Sequence, residues 1–599
     1  GDDAPSVRSV AFTGMAAPAL SDPAAMARTS VASSMVVTYS DNSSRSFALA
    51  YEPFFITGAA VPDGRGGTLV AGGYYDIHNQ PITDATDPGA RQFFSDAPDG
   101  MSLLTLANPT VPGVTGNTVF AVVQFEYTTR NVAGTSMYGQ LPSQIAVLTL
   151  NQDKASGKLT LVKYHNVDTS GVHGLWITCG ASLSPWNTHL SSEEYEPDPW
   201  NTSAAAVAQF QGFSTRLFGN AATANPYHYG HLPEVTVKPD GTGSIVKHFC
   251  LGRISHELVQ VMPDERTVLM GDDATNGGLF MFIADAARDL SAGTLYVARW
   301  TATRTTNGGA GTLKWIKLGH ATSAEIKALV DGGIRHTDIL DVKTADPLDA
   351  SYTAIAYNGA TQWVKLLPAQ DKAAAFLETH RYAALKGGSM AFTKMEGTTV
   401  NVKDKIAYSA MSAVRSQMRT ALGLDKVINA GAVYALNLAG SQSDSDGAAI
   451  DSAWVPVDMA PVPELIGEDL AVADALGNTA NAEKLGNPDN LKFSEKLRTL
   501  FIGEDSGMHV NNFLWAYNVD TKALTRLLSC PVGAESTGLH AVDQVNGFTY
   551  IASNFQHPGD WEAPLHDIVR PLVEPLINAN YNQRFGAAVG YLAGIPQVG

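Results

Sequence analysis

Short apolar segments separated by turn residues run through most of this chain, and they restrict its fold more than any other feature. The segments are rich in β-branched and aromatic residues and are bounded by Gly, Asn, Asp or Ser, a pattern typical of strands joined by tight turns. Residues 514–527 read as two adjacent hairpin strands, as in a propeller blade. We therefore predict an all-β fold, a β-propeller. Strands are predicted at 118–129, 143–152, 158–167, 278–285, 293–300, 312–318, 431–438, 511–519 and 548–555.

Helical patterns interrupt the strands in three places. Residues 323–333 begin with a Ser cap followed by a Glu and end near Gly, and residues 402–423 have apolar positions at helical spacing. Residues 566–585 predict a helical C-terminal tail broken by proline. No low-complexity linker or clean 40-residue repeat divides the 599 residues. We predict one domain, 1–599, with partly helical insertions at about 323–333, 367–423 and 564–586.

The formal net charge of −18 limits the partners of the chain. An acidic surface repels nucleic acid and anionic membranes, and no run of about 18 apolar residues predicts a membrane span. The same charge repels a phosphate ester unless cations are bound, and excess carboxylates suit calcium. Acidity is equally compatible with the simpler role of keeping an exported protein soluble.

Three cysteines, Cys179, Cys250 and Cys530, fit no CxxC zinc spacing. Their odd number excludes a complete disulfide framework, so at least one thiol is either buried and inert or a metal ligand. Cys179 precedes the adjacent pair Glu193 and Glu194, and a turn at SPWNTH could bring them face to face. Adjacent residues of a strand point to opposite faces, so usually one of the pair would reach a shared metal. On spacing alone, a buried thiol and a solvated acid pair are the commoner reading.

Four further segments carry polar groups suited to metal or phosphate. Oxygen-rich loops suit calcium, although a sequence such as DDATNGG is also an ordinary turn. An Arg fork matches two phosphate oxygens, whereas most exposed basic residues are simply solvated. Histidines of this kind are more often structural than metal-bound. The groups are His256, Glu257, Asp272 and Asp273 in 252–282; Arg381, Lys386 and Glu396 in 380–397; Asp489, Asn490, Glu504 and Asp505 in 486–512; and Glu535, His540 and His557 in 531–560.

Several other chemistries lack their motifs. The chain has no GxSxG elbow, no Walker A motif, no HExxH and no GxGxxG opening a helix. Nothing therefore supports a serine hydrolase, a P-loop enzyme or a dinucleotide enzyme.

Taken in order from about residue 174 to 560, the segments resemble the PhoX family of alkaline phosphatases. The resemblance rests on CGASLSPWNTHLSSEEYEPD, NPYHYGHLPEVTV, GRISHELVQVMPDERTVLMGDDATNGGLFMF, RYAALKGGSMAFTKMEG, LFIGEDSG and NFQHPGD. The run from Cys179 to EEYEPD and the run SHELVQVMPDERTV–GDD are the most specific. This chain has CGASLSPW where broader relatives often have CGGT-TPW, a difference in the turn and not in the ligands.

The resemblance implies a β-propeller monomer, for which we expect six blades, exported by the twin-arginine route to the periplasm or medium. It implies hydrolysis of phosphomonoesters to inorganic phosphate with iron, in the ferric form, and calcium. Cys179 would bind iron, with Glu194 and Glu193 in the metal shell, and Arg381 would hold the substrate phosphate. The implied further oxygen ligands are Glu257, Asp273, Glu396 and Asp489, with the adjacent Asn490.

These residue types are chemically consistent with that activity. A thiolate with carboxylates can hold iron, and closely spaced cations can clamp the attacking and leaving oxygens. No Ser, Thr or His is needed as the nucleophile, so a metal-bound oxygen is our hypothesis, with Arg381 balancing phosphoryl charge. A calcium-dependent propeller lactonase or esterase is the first alternative and would not need Cys179 or iron. A non-catalytic, calcium-stabilised binding propeller is the second, and there Arg381 would be unimportant.

Overall fold

The structure is a computed structural model that describes residues 4–598. Residues 1–3 and 599 of the predicted domain therefore lie outside the described residues. The N-terminal part forms a three-stranded sheet, a small hairpin and one strand that joins a sheet from later in the chain. Its elements are β1 (Val7–Thr13), α1 (Pro23–Met26), β2 (Ser34–Tyr39), β3 (Ser44–Ala48), β4 (Ala50–Ile56), β5 (Ala60–Pro62) and β6 (Thr68–Val70).

Two antiparallel four-stranded sheets follow. The first consists of β7 (Pro98–Leu104), β8 (Asn117–Phe125), β9 (Gln144–Gln152) and β10 (Leu159–Asn166). The second consists of β11 (Ser182–Leu183), β12 (His189–Leu190), β13 (Leu232–Val237) and β14 (Gly243–His248). Between β12 and β13 the chain leaves the sheet and forms α2 (Ala204–Phe218), a helix that the sequence pattern does not predict.

The middle of the chain builds one ten-stranded sheet with a helical insertion. The sheet contains β15 (His256–Val261), β16 (Thr267–Asp272), β17 (Phe280–Ala286), β18 (Asp289–Arg304), β19 (Ala310–Thr322), β23 (Thr393–Asn401), β24 (Ile406–Ala413), β25 (Ala432–Ala439), β26 (Val455–Pro456) and β27 (Asp458–Ile466). The insertion contains α3 (Ser323–Asp331), α4 (His336–Ile339), β20 (Leu340–Lys343), β21 (Thr353–Tyr357), β22 (Ala360–Leu366), α5 (Asp371–Leu377) and α6 (Thr379–Leu385), while α7 (Ser416–Leu422) follows β24.

Two further four-stranded sheets complete the fold. One consists of β28 (Pro488–Ser494), β29 (Thr499–Glu504), β30 (Phe513–Asn518) and β31 (Leu524–Ser529). The other joins β32 (Glu535–Val545), β33 (Phe548–Gln556) and β34 (Ala588–Ala593) to the N-terminal strand β4, and α8 (Arg570–Asn580) lies between β33 and β34. Pairing of β34 with β4 thus ties the two ends of the chain into one sheet.

Six innermost strands of the described residues form a closed ring. In order they are β7, β11, β15, β23, β28 and β32; each contacts the next, and β32 contacts β7. Apolar side chains fill the wedges between adjacent sheets, as Met101, Leu148 and Tyr591 do between the first and last sheets. This arrangement confirms the predicted propeller-like, mostly β fold. The expected count of six blades stays a prediction, because β19 and β27 join two groups of strands into one continuous sheet.

The nine predicted strands are confirmed, with β18 and β19 longer than expected. The helix predicted over 402–423 is wrong in its first half, where Ile406–Ala413 is a strand; only Ser416–Leu422 is helical. Almost every residue of that strand is buried because sheets pack on both of its sides, so its apolar positions carry no helical period. Helix α3 is confirmed, but its capping box uses Thr322 and not Ser323. The tail contains α8, with Pro575 inside the helix.

Candidate metal centre

The ring of inner strands collects acidic side chains at one place. Each of five inner strands carries an acid within its first few residues. These acids are Asp99 on β7, Glu257 on β15, Glu396 on β23, Asp489 on β28 and Glu535 on β32. Because these strands surround one axis, the closed ring brings acids together that are far apart in the sequence.

The sixth contribution comes from the irregular chain on either side of the short hairpin β11–β12. Thr178 and Glu193 form an isolated antiparallel bridge, and Glu194 N donates to Ile177 O at 2.9 Å. Cys179 and the acid pair therefore face each other across a hairpin, as the sequence suggested. The hairpin places the Cys179 thiol and the Glu194 carboxylate on the same side.

Three groups of potential ligands result. In each group, one ligand atom per residue lies within 4.8 Å of the others. The first group has a thiol, the second shares two acids with the first, and the third has carboxylates alone. They are Cys179, Glu194 and Glu257; Glu194, Glu257, Asp273 and Glu396; and Asp489, Asp505 and Glu535.

A cavity of about 130 Å³ lies among these side chains, with Asp99 and Glu126 also in its wall. Burial, and then the charge of neighbouring carboxylates, raises the pKa of Glu396 and Asp489 well above the usual range. Burial likewise raises the pKa of Glu126 to about 7. So many acids cannot all ionise in a small buried space without cations.

Several carboxylate oxygens in the wall of this cavity or in the adjoining ligand groups are buried without a hydrogen-bond partner. They are Asp99 Oδ1, Asp273 Oδ1, Glu396 Oε2 and Asp489 Oδ1. An unpaired buried oxygen is costly, and a hard cation would satisfy it. The donor set of carboxylates with one thiol thus fits the calcium and iron that the resemblance implies.

The Cys179 thiol is buried against backbone and hydroxyl groups. Its Sγ lies 3.0 Å from the His256 backbone oxygen and 3.1 Å from Ser192 Oγ. Burial, followed by the charge of Glu257, raises the pKa of this thiol well above its usual value. The protein alone therefore keeps Cys179 protonated, and a nearby cation is what would favour the thiolate.

Glycine 180 allows the close approach between the thiol segment and β15. Its N–H donates to Glu257 Oε1 at 3.2 Å, and a Cβ at this position would lie 2.7 Å from the same oxygen. Glu257 is therefore oriented by backbone that tolerates no side chain there.

The structure does not bring Glu193 into these groups. Its carboxylate pairs with Lys247 at 3.0 Å and accepts backbone hydrogen bonds from Trp176 and His231. Both side chains of the ion pair are buried. Adjacent residues on the extended segment point to opposite faces, so Glu194 alone enters the cavity.

Arg381 is also placed differently from the expectation. Its guanidinium group donates to Asp198, Glu378 and Gln362, and it stacks on the Tyr357 ring at 3.9 Å. Four of its five N–H groups are thus engaged within the protein. Arg381 thus holds the helical insertion to the loop before α2, and its role in phosphate binding stays a prediction.

Lys394 is the cation that the structure does place beside the acids. Its Nζ donates to Tyr195 OH at 3.1 Å and lies 3.7 Å from Asp273 Oδ1. Tyr195 OH in turn donates to Asp273 Oδ2 at 2.8 Å. Burial alone would raise the pKa of Asp273, but the charge of Lys394 lowers it. Neither Lys394 nor Tyr195 is predicted from the sequence, although both lie in the segments that carry the resemblance.

Four further sequence candidates lie near Asp489 in the chain or in the ring. Asp505 and Glu535, in segments predicted to be oxygen-rich, join Asp489. Glu504 is structural, since it accepts hydrogen bonds from His509 and Trp515 in the core. Asn490 is buried beside Asp489 and donates to Ser536 O at 3.3 Å.

Asp99 and Glu126 are missed by the sequence reasoning. Glu126 lies near the end of the predicted apolar strand 118–129, and an acid at such a position could have indicated a ligand. Asp99 follows no predicted strand, and only the ring geometry reveals it.

Comparison with known proteins assigns the family. A model of the family described as alkaline phosphatase PhoX matches residues 115–559. The chain belongs to the PhoX family of alkaline phosphatases. The predicted family and the predicted phosphatase class of enzyme are therefore confirmed, and the non-catalytic alternative is wrong. No curated protein sequence matches the chain.

One solved structure supports the fold of this PhoX-family enzyme. PhoX from Pseudomonas fluorescens, in complex with vanadate as a transition state analogue, is 16% identical and covers 98% of each chain at a TM-score of 0.60. Saccharomyces cerevisiae Sqt1, 8% identical over 76% of this chain and 93% of its own, has a TM-score of only 0.25. Among residues 4–598, no helix is long and apolar enough to cross a membrane.

Proposed function

We propose that this PhoX-family enzyme hydrolyses phosphomonoesters to inorganic phosphate with iron and calcium held in the ring of acids. The observation that carries the proposal is a buried thiol beside a cluster of buried carboxylates, several of which, such as Asp273 and Asp489, have an oxygen without a partner. The group with Cys179, Glu194 and Glu257 would hold iron, because a thiolate favours a softer metal than calcium. The carboxylate-only group of Asp489, Asp505 and Glu535 would hold calcium.

The cations would withdraw charge from the phosphoryl oxygens when bound. The protein contributes acids from the closed ring of strands and from the segments that adjoin those strands, and the ring positions them around one cavity. The Gly180 contact holds the Cys179 segment close to β15 and orients the Glu257 carboxylate.

Lys394 replaces Arg381 in our account of phosphate binding. Its ammonium group stands beside Asp273 and opens to the larger cavity next to the acids. A point charge there would neutralise part of the charge on a phosphoryl group. Tyr195, which bonds both Lys394 and Asp273, fixes the direction of that ammonium group.

Export and a monomeric state also belong to the proposal. The three cysteines are all free and buried, so disulfide bonds do not stabilise the fold. A chain that folds with its metals before export needs no oxidising compartment.

Metal analysis combined with a phosphomonoesterase assay tests the proposal. We expect iron and calcium in the active protein, and we expect Cys179→Ala to lose both iron and activity. Cys250→Ala is the matched control, since its buried thiol also donates to a backbone oxygen but lies outside the acid groups. Calcium without iron, with full activity in Cys179→Ala, would contradict the iron assignment.

A further inference from the structure

A second, larger cavity opens beside the ring of acids. It has a volume of about 730 Å³ and shares Tyr195 with the smaller cavity that contains the carboxylates. Lys394 also lines it, so the ammonium group assigned to phosphate stands at the junction. A substrate whose phosphoryl group lies among the acids must direct its alcohol portion either into this cavity or into solvent.

Part of the cavity wall is apolar and aromatic, and polar residues line the rest. Trp176, Val207, Phe210 and Tyr357 contribute to the apolar part. Trp176 is held in place because its Nε1 donates to the Tyr195 backbone oxygen at 2.9 Å, and Phe210 packs edge-on against it at 5.9 Å. Flat aromatic surfaces of this kind bind rings by stacking and edge contacts.

Helix α2 provides much of this apolar wall. The residues of α2 that are buried in the core lie in its second half, Phe213, Ser214 and Leu217. Its first half carries Val207, 41% exposed, toward the cavity, whereas Ala208 is exposed but does not line it. The first half of the helix therefore contributes little to the core and instead lines the cavity.

The size of the cavity exceeds what a phosphoryl group needs. Cavities of roughly 300–1,000 Å³ with apolar walls and a few polar groups accommodate organic ligands of drug size. We propose that this cavity binds the alcohol portion of the substrate and selects phosphomonoesters of bulky, ring-containing alcohols over those of small alcohols. This inference rests on the proposed phosphatase function of the adjoining acids.

The test compares 2-phenylethyl phosphate with ethyl phosphate, since both are esters of primary alkyl alcohols. For the wild-type holoenzyme we expect kcat/KM to be at least about tenfold higher for 2-phenylethyl phosphate, because burial of an aromatic ring is favourable by that order. Val207→Trp, which places a larger side chain in the cavity and narrows it, should reduce this ratio about tenfold. Ala208→Trp, on the same helix but outside the cavity, should keep the wild-type ratio.

A binding measurement separates the cavity from the chemistry. Calorimetric titration of the holoenzyme with benzylphosphonate and methylphosphonate, which are not hydrolysed, should show tighter binding of benzylphosphonate that Val207→Trp weakens. Hydrolysis of both esters with equal kcat/KM would overturn the role of the cavity and leave the phosphatase assignment intact. Absence of all hydrolysis, with selective benzylphosphonate binding retained, would support the cavity and overturn the proposed function.

Discussion

Glu193 lies 3.0 Å from the ammonium group of Lys247, with both side chains buried, while its neighbour Glu194 faces the candidate metal centre. Two adjacent acids thus have separate roles. Burial raises the pKa of Glu193 and lowers that of Lys247, and their mutual attraction opposes both shifts. The pair anchors the hairpin that presents Glu194 and Cys179.

The first prediction concerns this anchor. Lys247→Met leaves an unpaired buried carboxylate and should lower the free energy of unfolding by about 3–5 kcal/mol, as loss of one partner of a buried pair does. Urea unfolding of the holoenzyme measures the effect. The double variant Lys247→Met with Glu193→Gln removes the unpaired charge and should recover part of the loss. A single variant as stable as the wild type would contradict the assigned role of the ion pair.

The second prediction concerns phosphate. Lys394 is the only lysine beside Asp273 in the described contacts of that carboxylate, and Lys394→Gln removes its charge. We expect this variant to weaken inhibition by inorganic phosphate or vanadate about 10- to 100-fold. That range corresponds to the loss of a charged hydrogen bond, about 1.5–3 kcal/mol. Inhibition constants from steady-state assays measure this.

Arg381→Ala provides the contrast. Because Arg381 is engaged with Asp198 and Glu378, its loss should lower stability while the inhibition constants of the folded protein change little. If phosphate inhibits Arg381→Ala more weakly than the wild type but inhibits Lys394→Gln as strongly as the wild type, Arg381 and not Lys394 binds the phosphate.

The third prediction is a pH dependence of the metal-free protein. Burial raises the folded-state pKa of Glu126 to about 7, and Glu194, Glu396 and Asp489 are raised well above their usual values. The native state therefore holds protons that the unfolded chain has lost, so stability falls as pH rises from about 4.5 toward 7 and above. We expect the Tm of protein treated with chelator to be higher at pH 5 than at pH 7.5.

The metal-loaded protein is the control for that experiment. Bound cations compensate the carboxylates, so the holoenzyme should lose less stability over the same pH range. A chelated protein whose Tm is equal or higher at pH 7.5 would mean that these acids are not charged together in a buried space.

The fourth prediction concerns the Gly180 contact. A methyl group at Gly180 would lie 2.7 Å from Glu257 Oε1 and 3.0 Å from Leu258 N. Gly180→Ala should shift Glu257, reduce the iron content and cost about 1–3 kcal/mol of stability, in the range for overpacking. Gly171→Ala is the control, because a Cβ there meets no atom within 4 Å. Equal iron content in both variants would show that iron binding does not require the close contact between Gly180 and Glu257.

Local sequence patterns were sufficient for the strands but not for the ring. Alternating apolar residues and turn residues identify β8, β9 and β33, because those signals act over a few neighbours. They fail at Ile406–Ala413, where burial on both faces removes the alternation. They also miss α2, whose first half is alanine-rich and lines a cavity, so that only its second half packs in the core.

The candidate site was predictable in part for a similar reason. Family motifs identify Cys179, Glu194 and Glu257, which the structure brings together. They do not separate Glu193 from Glu194, since the difference depends on Lys247, which approaches from another strand. The surroundings of Arg381 likewise come from Asp198 and Glu378, which no local pattern connects to it.

Anomalous X-ray diffraction from crystals of the active holoenzyme tests the central claim most directly. Data on both sides of the iron absorption edge should show iron between Cys179 Sγ and the carboxylates of Glu194 and Glu257, with calcium at the group of Asp489, Asp505 and Glu535. Active crystals that contain no iron at Cys179, or whose metals lie outside these groups, would contradict the account.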